Sequence, residues 1–409
     1  MTDRPSVCVI GLGYIGLPTA AALARAGHRV AGVDVNPSIV ETVGQGRVHI
    51  VEPHLGDLVR EMVQAGRLQA VSAPVPADTF LICVPTPFIR GAATPTPDIS
   101  HVLAAARSIG PILRPGNLVI IESTCPVGTT EHVKETLGAT GAPVEEISLA
   151  YCPERVLPGR ILQELVANDR IIGGLDHEAS SAAAAFYASF VTGEVLTTDS
   201  RTAEMVKLVE NSFRDVNIAF ANEISLLCDH LGIDAWTVID LANRHPRVNI
   251  LAPGPGVGGH CIAVDPWFIV AQDPATARLI RMAREVNDAK TDWVIARIRE
   301  RAASMATEDG RPVRVACLGL AYKPDVDDLR ESPALRVALA LADAGLEVLA
   351  CEPNLDRHPV LRLFDAGEAI AAADIVAVLV KHAQFKQFDL SHSVVLDFCG
   401  LTAGAPMSR

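Results

Sequence analysis

The chain has 409 residues, of which 49% are hydrophobic and 20% charged, so it is long enough for about two or three domains with hydrophobic cores. Its formal net charge of −13 argues against nucleic acid or an anionic membrane surface as a partner, because both are bound by basic patches. The sequence has neither a signal-peptide pattern nor a run of about 18 apolar residues, and we expect a soluble, cytoplasmic protein. The nine cysteines lack CxxC pairs and metal-ligand spacing, which predicts neither a disulfide framework nor a metal site.

The first part of the chain alternates apolar runs with helical stretches. "SVCVIG", the Ala-rich segment from Tyr14 to Ala26 and "RVAGVD" predict a strand, a helix and a strand. The apolar runs "FLICV", "NLVIIES" and "ISLAY" predict further strands that are buried on both faces. Such alternation predicts an α/β domain with a parallel sheet covered by helices.

A glycine-rich turn lies between the first strand and the first helix. In "GLGYIG" the glycines are Gly11, Gly13 and Gly16, and they permit a tight turn and the close approach of a pyrophosphate to a helix N-terminus. The second strand ends at Asp34, where a carboxylate would accept hydrogen bonds from a ribose diol and repel a 2′-phosphate. The motif predicts a site for NAD rather than NADP; the alternative is that the glycines only close the turn.

One long helix is predicted from about Asp199 to Gly232, because this segment has a helical period and no internal Gly or Pro. At about 1.5 Å per residue it would span roughly 50 Å, so we expect it to link two domains and to carry a subunit interface. Lys207 and Asn211 are four residues apart and project from one face, where a cation and an amide could hold a thiolate or an oxyanion. The alternative is an ordinary exposed lysine.

A single cysteine stands among glycines in "GPGVGGHCIAVDPW", residues 254–267. A catalytic thiol needs a lowered pKa and an approach path for the substrate, and the glycines around Cys261 provide the path. The alternative is an ordinary buried cysteine. We expect the adjacent His260 to be structural and most of the other cysteines to be core residues.

The alternation of strand and helix resumes at "VRVACLGLAY" near the C-terminus. Only Gly319 stands where the dinucleotide motif needs three glycines, so a second dinucleotide site is not expected. Lys323 and Arg330 follow the strand in "YKPDVDDLRESPAL", at the end of a parallel strand where ligands bind, and cations there suit phosphates. The alternative is that they pair with nearby acids, namely Asp325, Asp327 and Asp328.

Several longer motifs follow one another along the chain. They are "GLGYIGLP", "STCPVGTT", "YCPERVLPGRILQELVANDRIIGG", Lys207 with Asn211, "NRHPRVNILAPGPGVGGHCIAVDPWFIV" and "GLAYKPDVDDLRESPAL". In this order the motifs, which cover nearly the whole chain, resemble those of the UDP-glucose/GDP-mannose dehydrogenase family. The resemblance implies two Rossmann-like doubly wound domains joined by a long central helix. It implies an NAD-binding domain at 1–198, a central helical and dimerisation domain at 199–305, and a UDP-sugar-binding domain at 306–409.

The resemblance also implies a reaction. It is a four-electron oxidation, with two NAD, of the C6 alcohol of a UDP-sugar to a uronate, through a thiohemiacetal and a thioester on Cys261. The thiol adds to the aldehyde because an aldehyde loses hydride readily only after a nucleophile has added. Lys207 and Asn211 would stabilise the oxyanions, and Asp265 would assist proton transfer through water or anchor its loop. The uronate is implied to be a building block of bacterial surface polysaccharides, and the enzyme a homodimer.

Further roles carry over from matching motif positions. Thr124 and Glu154 would lie beside the reacting carbon and activate water; the alternative for Glu154 is a plain salt bridge with Arg155. The implied cofactor-binding residues are Gly11, Gly13, Tyr14, Ile15, Gly16, Asp34, Thr86, Thr124 and Arg330. The implied substrate-binding residues are Glu154, Arg155, Val156, Lys207, Asn211, Arg247, Gly256, Gly258, Gly259 and Lys323.

The chain departs from the family pattern near its C-terminus. Many members have an arginine or lysine after the aspartate of the last strand, whereas this chain reads "VVLDFCGLTAG". No C-terminal substrate contact is therefore carried over. Two other classes stay open: a two-electron hydroxyacid dehydrogenase, which would need no thiol and would form one NADH per substrate, and a non-catalytic sensor of nucleotide sugars.

Overall fold

The computed structural model describes residues 4–89, 94–259, 261–305, 310–390 and 394–402. It divides into two compact units, Met1–Val209 and Glu210–Arg409. His260, which the sequence analysis expects to be structural, lies outside the described residues. The boundaries at residues 198 and 305 remain predictions.

The first unit is built on one large sheet. Its strands are β1 (Val7–Ile10), β2 (Val30–Val33), β3 (Leu68–Val71), β4 (Thr79–Ile82), β5 (Leu118–Ile121), β6 (Ser148–Tyr151), β7 (Arg170–Gly174) and β8 (Val195–Asp199). They lie in the order β3-β2-β1-β4-β5-β6-β7-β8, and neighbours are parallel except β6 and β7, which are antiparallel. The strand order reverses between β1 and β4, and ligands of open α/β sheets bind in the crevice at such a switch point.

Helices cover both faces of this sheet. They are α1 (Gly16–Arg25), α2 (Pro37–Gly44), α3 (Leu55–Gln64), α4 (Ser100–Ile109), α5 (Thr129–Ala139), α6 (Ile161–Ala167) and α7 (His177–Tyr187), with a 3₁₀ turn at Gly110–Ile112. Alternate residues of β1 point to opposite faces. Val7 and Val9 pack with α1, α3, α6 and α7, whereas Cys8 and Ile10 pack with α4 and α5. The doubly wound fold predicted from the sequence is confirmed.

The long helix α8 extends over Ser200–Leu231 and has 32 residues, which corresponds to a length of about 48 Å. Asp199 caps its first turn by accepting a hydrogen bond from the Thr202 N–H (2.9 Å). Gly232, with φ +68°, follows its last residue in the left-handed conformation that commonly ends helices. The long helix predicted for about Asp199 to Gly232 is therefore confirmed.

The second unit contains a smaller sheet flanked by helices. Its strands β9 (Arg314–Leu318), β10 (Glu347–Cys351), β11 (Ile375–Val378) and β12 (Val394–Asp397) lie in the parallel order β10-β9-β11-β12. The helices are α9 (Ala235–Ala242), α10 (Asp265–Gln272), α11 (Arg278–Ala303), α12 (Pro333–Asp343) and α13 (Ala366–Ala372), with a 3₁₀ turn at Ala383–Gln387. One face packs against α11 and α12 and the other against α13, so this sheet is also covered on both faces. Among the helices of the described residues, none has the length and apolar character needed to cross a membrane.

Candidate active site

The glycine-rich turn after β1 has space for a ligand at only one of its three glycines. A Cβ at Gly11, where φ is +96°, would lie 2.5 Å from the carbonyl oxygen of Cys83, and a Cβ at Gly16 would lie 1.8 Å from the carbonyl oxygen of Gly11. Both glycines are thus required by the turn itself. A Cβ at Gly13 would meet no atom within 4 Å, so Gly13 offers open backbone to a pyrophosphate. Tyr14 is exposed and Ile15 half-buried beside it.

Asp34 is held next to this turn by the backbone. One carboxylate oxygen accepts a hydrogen bond from the Leu12 N–H (3.0 Å) and the other accepts one from the Asn36 N–H (2.9 Å). Each carboxylate oxygen can accept a second hydrogen bond, which leaves capacity for a ribose diol. The open Gly13 and the fixed Asp34 fit a bound NAD.

Thr86 and Thr124 meet at the same edge of the sheet. They follow β4 and β5, whose register pairs Ile82 with Ile121, so the loops after both strands begin side by side. The Thr86 hydroxyl donates a hydrogen bond to the carbonyl oxygen of Thr124 (2.7 Å). The structure therefore brings together two residues that the sequence could only assign separately.

A buried carboxylate missed by the sequence analysis holds the loop after Thr124. Glu204 of α8 accepts hydrogen bonds from the N–H groups of Gly128 (2.6 Å) and Thr130 (2.8 Å) and from the Thr130 hydroxyl (2.7 Å). These donors lie at the N-terminal end of α5, where an acid is favourable. Burial nevertheless raises the pKa of Glu204. Glu204 thus attaches α8 to the loop that carries Thr124.

Glu154 lies in the loop after β6 and is bound through both its side chain and its backbone. Its carboxylate accepts a hydrogen bond from Arg170 (2.7 Å) and one from the Arg155 N–H (2.7 Å). Its backbone carbonyl accepts a hydrogen bond from the Lys207 ammonium (2.8 Å). The sequence analysis considered Arg155 as the ion-pair partner, whereas the structure gives that place to Arg170; the Arg155 guanidinium donates to the carbonyl of Asp169 (3.2 Å). Val156 is half-buried next to them.

In the second unit, Cys261 is half-buried and stands just before α10. Its carbonyl oxygen accepts hydrogen bonds from the N–H groups of Val264 (3.0 Å) and Asp265 (2.8 Å), so it lies in a helical turn rather than in a free loop. The buried Asp265 accepts a hydrogen bond from the side-chain amide of Asn211 (2.5 Å). Asn211 and Asp265, assigned separate roles from the sequence, are therefore a hydrogen-bonded pair.

The glycines before Cys261 are required by packing within the protein. A Cβ at Gly256 would lie 2.5 Å from the Thr291 hydroxyl, one at Gly258 would lie 2.5 Å from the carbonyl oxygen of Glu331, and one at Gly259 would lie 2.9 Å from the Tyr322 ring. The Gly259 N–H also donates to the carbonyl of Arg330 (3.0 Å). The absence of side chains at these glycines thus allows the cysteine loop to pack closely against residues 322–333. The contact between these glycines and the substrate that the sequence predicts would come in addition to this packing.

The three cations that the sequence predicts near the bound nucleotides, namely Lys323, Arg330 and Arg247, have different surroundings. Arg330 binds Asp328 through two N–H groups, at 2.9 and 2.6 Å, as the alternative interpretation of this loop predicted. The Lys323 ammonium lies 5.7 Å from the centre of the Tyr322 ring. Burial, together with the nearby Asp328 and Cys261, raises the pKa of Tyr322 to about 12. Arg247 is exposed.

The turn after β9 resembles the turn after β1, but its backbone N–H groups already bind a side chain of the protein. Glu352, directly after β10, accepts hydrogen bonds from the N–H groups of Leu320 and Ala321 (2.8 Å each). His382 accepts a hydrogen bond from the Asp325 N–H at Nδ1 (2.9 Å), so its Nε2 carries the hydrogen that it donates to Glu352 (3.1 Å). Because these three donors bind a fully buried carboxylate, Glu352 is not placed to bind a ribose.

The described residues contain no group of three His, Cys, Asp or Glu side chains that could hold a metal ion. A doubly wound sheet with an NAD-type turn, joined by a long helix to a second parallel-sheet unit, defines the class of two-unit dinucleotide-dependent oxidoreductases.

Comparison with known proteins places the chain within this class: it belongs to the UDP-glucose/GDP-mannose dehydrogenase family and is an NAD-dependent oxidoreductase. Residues 5–191 match the NAD binding domain of the family, residues 201–289 its central domain and residues 316–403 its UDP binding domain.

Named relatives match over almost their full length. The chain is 52% identical to the UDP-N-acetyl-D-mannosamine dehydrogenase of Yersinia pestis, over 97% of this chain and 99% of the relative. It is 51% identical to the NDP-N-acetyl-D-galactosaminuronic acid dehydrogenase of Ralstonia nicotianae, over 98% and 96%. Among solved structures, the UDP-D-ManNAc dehydrogenase of Pyrococcus horikoshii matches with a TM-score of 0.89 and 36% identity, over 98% of this chain and 97% of that one.

Proposed function

We propose that the protein is an NAD-dependent 6-dehydrogenase that oxidises UDP-N-acetyl-D-mannosamine to the corresponding uronate. The observation that carries the proposal is the half-buried Cys261, set in the turn before α10 and four residues before the buried Asp265, which pairs with Asn211. A thiol in this position has a use in a four-electron oxidation and none in a two-electron one. The names of the relatives supply the sugar.

The reaction would proceed in four balanced steps. The C6 alcohol loses a hydride and a proton to become an aldehyde; the Cys261 sulfur then bonds to the aldehyde carbon, and the aldehyde oxygen takes up the thiol proton. The thiohemiacetal loses a second hydride and its hydroxyl proton to become a thioester. Water then adds to the thioester carbon, the carbon–sulfur bond breaks, and the products are a carboxylic acid and the thiol. When bound, NAD accepts the hydride in each oxidation.

The residues of the chain would bind oxygens and move protons in these steps. The Lys207 ammonium has three N–H donors, one of which binds the Glu154 carbonyl, and the others would stabilise the negative oxygen that develops at C6. The amide of Asn211 would act likewise while it holds Asp265. Glu154 would take a proton from water in the last step, with Thr124 beside it.

The identity of the sugar depends on relatives whose overall similarity is nearly equal. Identities of 52% and 51% do not separate a mannosamine from a galactosamine derivative, and UDP-N-acetylgalactosamine is therefore the second candidate. UDP-N-acetylglucosamine and UDP-glucose are the remaining rivals.

The test is a count of NADH. The purified protein is incubated with excess NAD and a limiting amount of each UDP-sugar, and we expect two NADH per sugar with UDP-N-acetylmannosamine. Two NADH with another sugar would keep the chemistry and change the substrate. One NADH per sugar would favour a two-electron dehydrogenase, and none with any sugar would favour a sensor.

Two cysteine variants separate covalent catalysis from general thiol effects. Cys261→Ser should lose the four-electron reaction and keep NAD binding. Cys399→Ser is the matched control, since Cys399 is the other half-buried cysteine of the chain and has no role in the proposed chemistry. A Cys261→Ser variant that runs at the wild-type rate would contradict covalent capture.

We further propose a homodimer that works in the cytoplasm. On α8, Phe213, Phe220, Leu227 and Leu231 are between 50% and 67% exposed. At about 100° per residue, their spacing of seven, seven and four residues places them on one strip of the helix, which suits a second copy of the same helix. The absence of disulfides among the nine cysteines suits a reducing compartment. Sedimentation should give a dimer for the wild type and a monomer for Phe220→Asp; a wild-type monomer at micromolar concentration would contradict the proposal.

A further inference from the structure

A buried arginine lies behind Glu154 in the first unit and takes no part in the reaction proposed above. Arg170 is the first residue of β7 and only 1% exposed. One of its terminal nitrogens donates to the Glu154 carboxylate (2.7 Å) and the other to the carbonyl of Leu165 (2.6 Å). Its guanidinium carbon lies 5.4 Å from the centre of the Tyr187 ring. The arginine is thus fixed at two ends and cannot follow a moving carboxylate.

The antiparallel pair β6 and β7 explains why Arg170 meets Glu154. The register pairs Ala150 with Gly174 and Tyr151 with Gly173. If this register is continued three residues past Tyr151, Glu154 lies opposite Arg170. The hydrogen bond between the two side chains joins the two segments at that point. Sheet geometry therefore sets the position of the Glu154 carboxylate.

Other titratable groups surround this ion pair from several elements. Glu122, after β5, accepts hydrogen bonds from the Tyr187 hydroxyl (2.5 Å) and from the Cys83 thiol (3.1 Å). Burial and the charge of Glu154 raise the pKa of Glu122, although Arg170 opposes this. Burial also raises the pKa values of Cys83, Tyr187 and Cys152, the last to about 12. Two further cations lie at this loop: Lys207, which is bound to the Glu154 backbone, and Arg155, whose guanidinium donates to the Asp169 carbonyl.

Burial keeps the two thiols and the phenol neutral. The carboxylate that Arg170 binds directly is that of Glu154 (2.7 Å). An ionised carboxylate is the form that can accept a proton from water.

We propose that Arg170 is a positioning residue for the hydrolysis of the thioester: it holds the Glu154 carboxylate in the orientation in which it can act as the base. This inference rests on the proposed function. In the step, the water oxygen bonds to the thioester carbon while Glu154 takes one water proton; the carbon–sulfur bond then breaks, and the proton passes to the Cys261 sulfur.

The test follows the decay of the covalent adduct on Cys261. Enzyme, NAD and UDP-sugar are mixed, quenched with acid at intervals, and the adduct is measured by mass spectrometry from about pH 5 to pH 9. In Arg170→Met the adduct should decay at least tenfold more slowly while its rate of formation changes little, because Glu154 has lost the group that orients it. In Arg170→Lys, which keeps a charge but cannot bind Glu154 and Leu165 with two separate nitrogens, the decay should slow by less.

A matched control comes from the second unit. Arg284 is also buried and also binds a buried carboxylate, Asp215, at 2.7 Å. Arg284→Lys changes a comparable ion pair in the same conservative way and should leave the ratio of adduct decay to adduct formation at the wild-type value. If Arg170→Lys slows the formation and the decay of the adduct equally, Arg170 is merely structural and the proposal is wrong. Arg170→Lys alone decides the matter where Arg170→Met does not fold. A wild-type enzyme that forms no adduct contradicts the proposed function instead.

Discussion

Replacing Gly13 with alanine should separate the binding of NAD from the stability of the fold. In the structure a Cβ at Gly13 meets no atom within 4 Å, and the backbone there is outside the left-handed region, whereas a Cβ at Gly16 lies 1.8 Å from the carbonyl oxygen of Gly11. Without NAD, Gly13→Ala should therefore change the stability by less than about 0.5 kcal/mol. Gly16→Ala, the matched control, should lose about 1–3 kcal/mol or more because the backbone has to move.

With NAD, Gly13→Ala should lose part of the stabilisation that the bound cofactor adds. At a free NAD concentration of 100 times Kd, binding stabilises the wild type by about 2.7 kcal/mol; a tenfold weaker affinity at the same concentration leaves about 1.4 kcal/mol. We expect at least this loss for Gly13→Ala, since its methyl group occupies the space through which a pyrophosphate would approach. The assay is thermal unfolding of each variant over an NAD titration. Full NAD-dependent stabilisation of Gly13→Ala would refute the placement of the dinucleotide over Gly13.

Three further predictions concern single side chains. Asp34→Asn should reduce the preference for NAD over NADP by at least tenfold in kcat/KM, measured with both cofactors, because the repulsion of a 2′-phosphate is lost. Thr291→Val removes the hydrogen bond to the Pro255 carbonyl (2.9 Å) that holds the loop before Cys261. It should therefore lower kcat more than NAD affinity and destabilise the second unit by about 1–3 kcal/mol. A variant with the kcat of the wild type would contradict this. Burial lowers the pKa of Lys290 from its ordinary value of 10.5 to about 8, so the unfolded chain binds more protons between these values and stability should rise as pH rises from about 8 to 10.5. Lys290→Met should abolish this rise in a series of thermal melts.

The fold followed from local patterns because each pattern reports on burial within its own segment. The runs "SVCVIG" and "NLVIIES" are apolar at successive positions, and β1 and β5 are buried on both faces. The absence of Gly and Pro predicted the long helix, and Asp199 and Gly232 set its ends. What such patterns do not contain is the direction of a strand. The antiparallel β7 was missed because "RIIGG" is equally apolar in either direction.

That single reversal also explains which part of the candidate site the sequence could not supply. Cys261 and the glycine-rich turn are recognisable because their chemistry lies in one short motif. Glu154 and Arg170 are 16 positions apart in the sequence, and only an antiparallel register puts one opposite the other. Glu204 lies farther still, 76 and 74 positions, from the Gly128 and Thr130 groups that it binds. The sequence nevertheless contained a signal, because a charged residue at the start of an apolar strand is costly to bury without an oppositely charged partner. Since Arg170 must have a buried acid, and the preceding strand ends at a loop with Glu154, a search for that acid would have led to the ion pair before the direction of β7 was known.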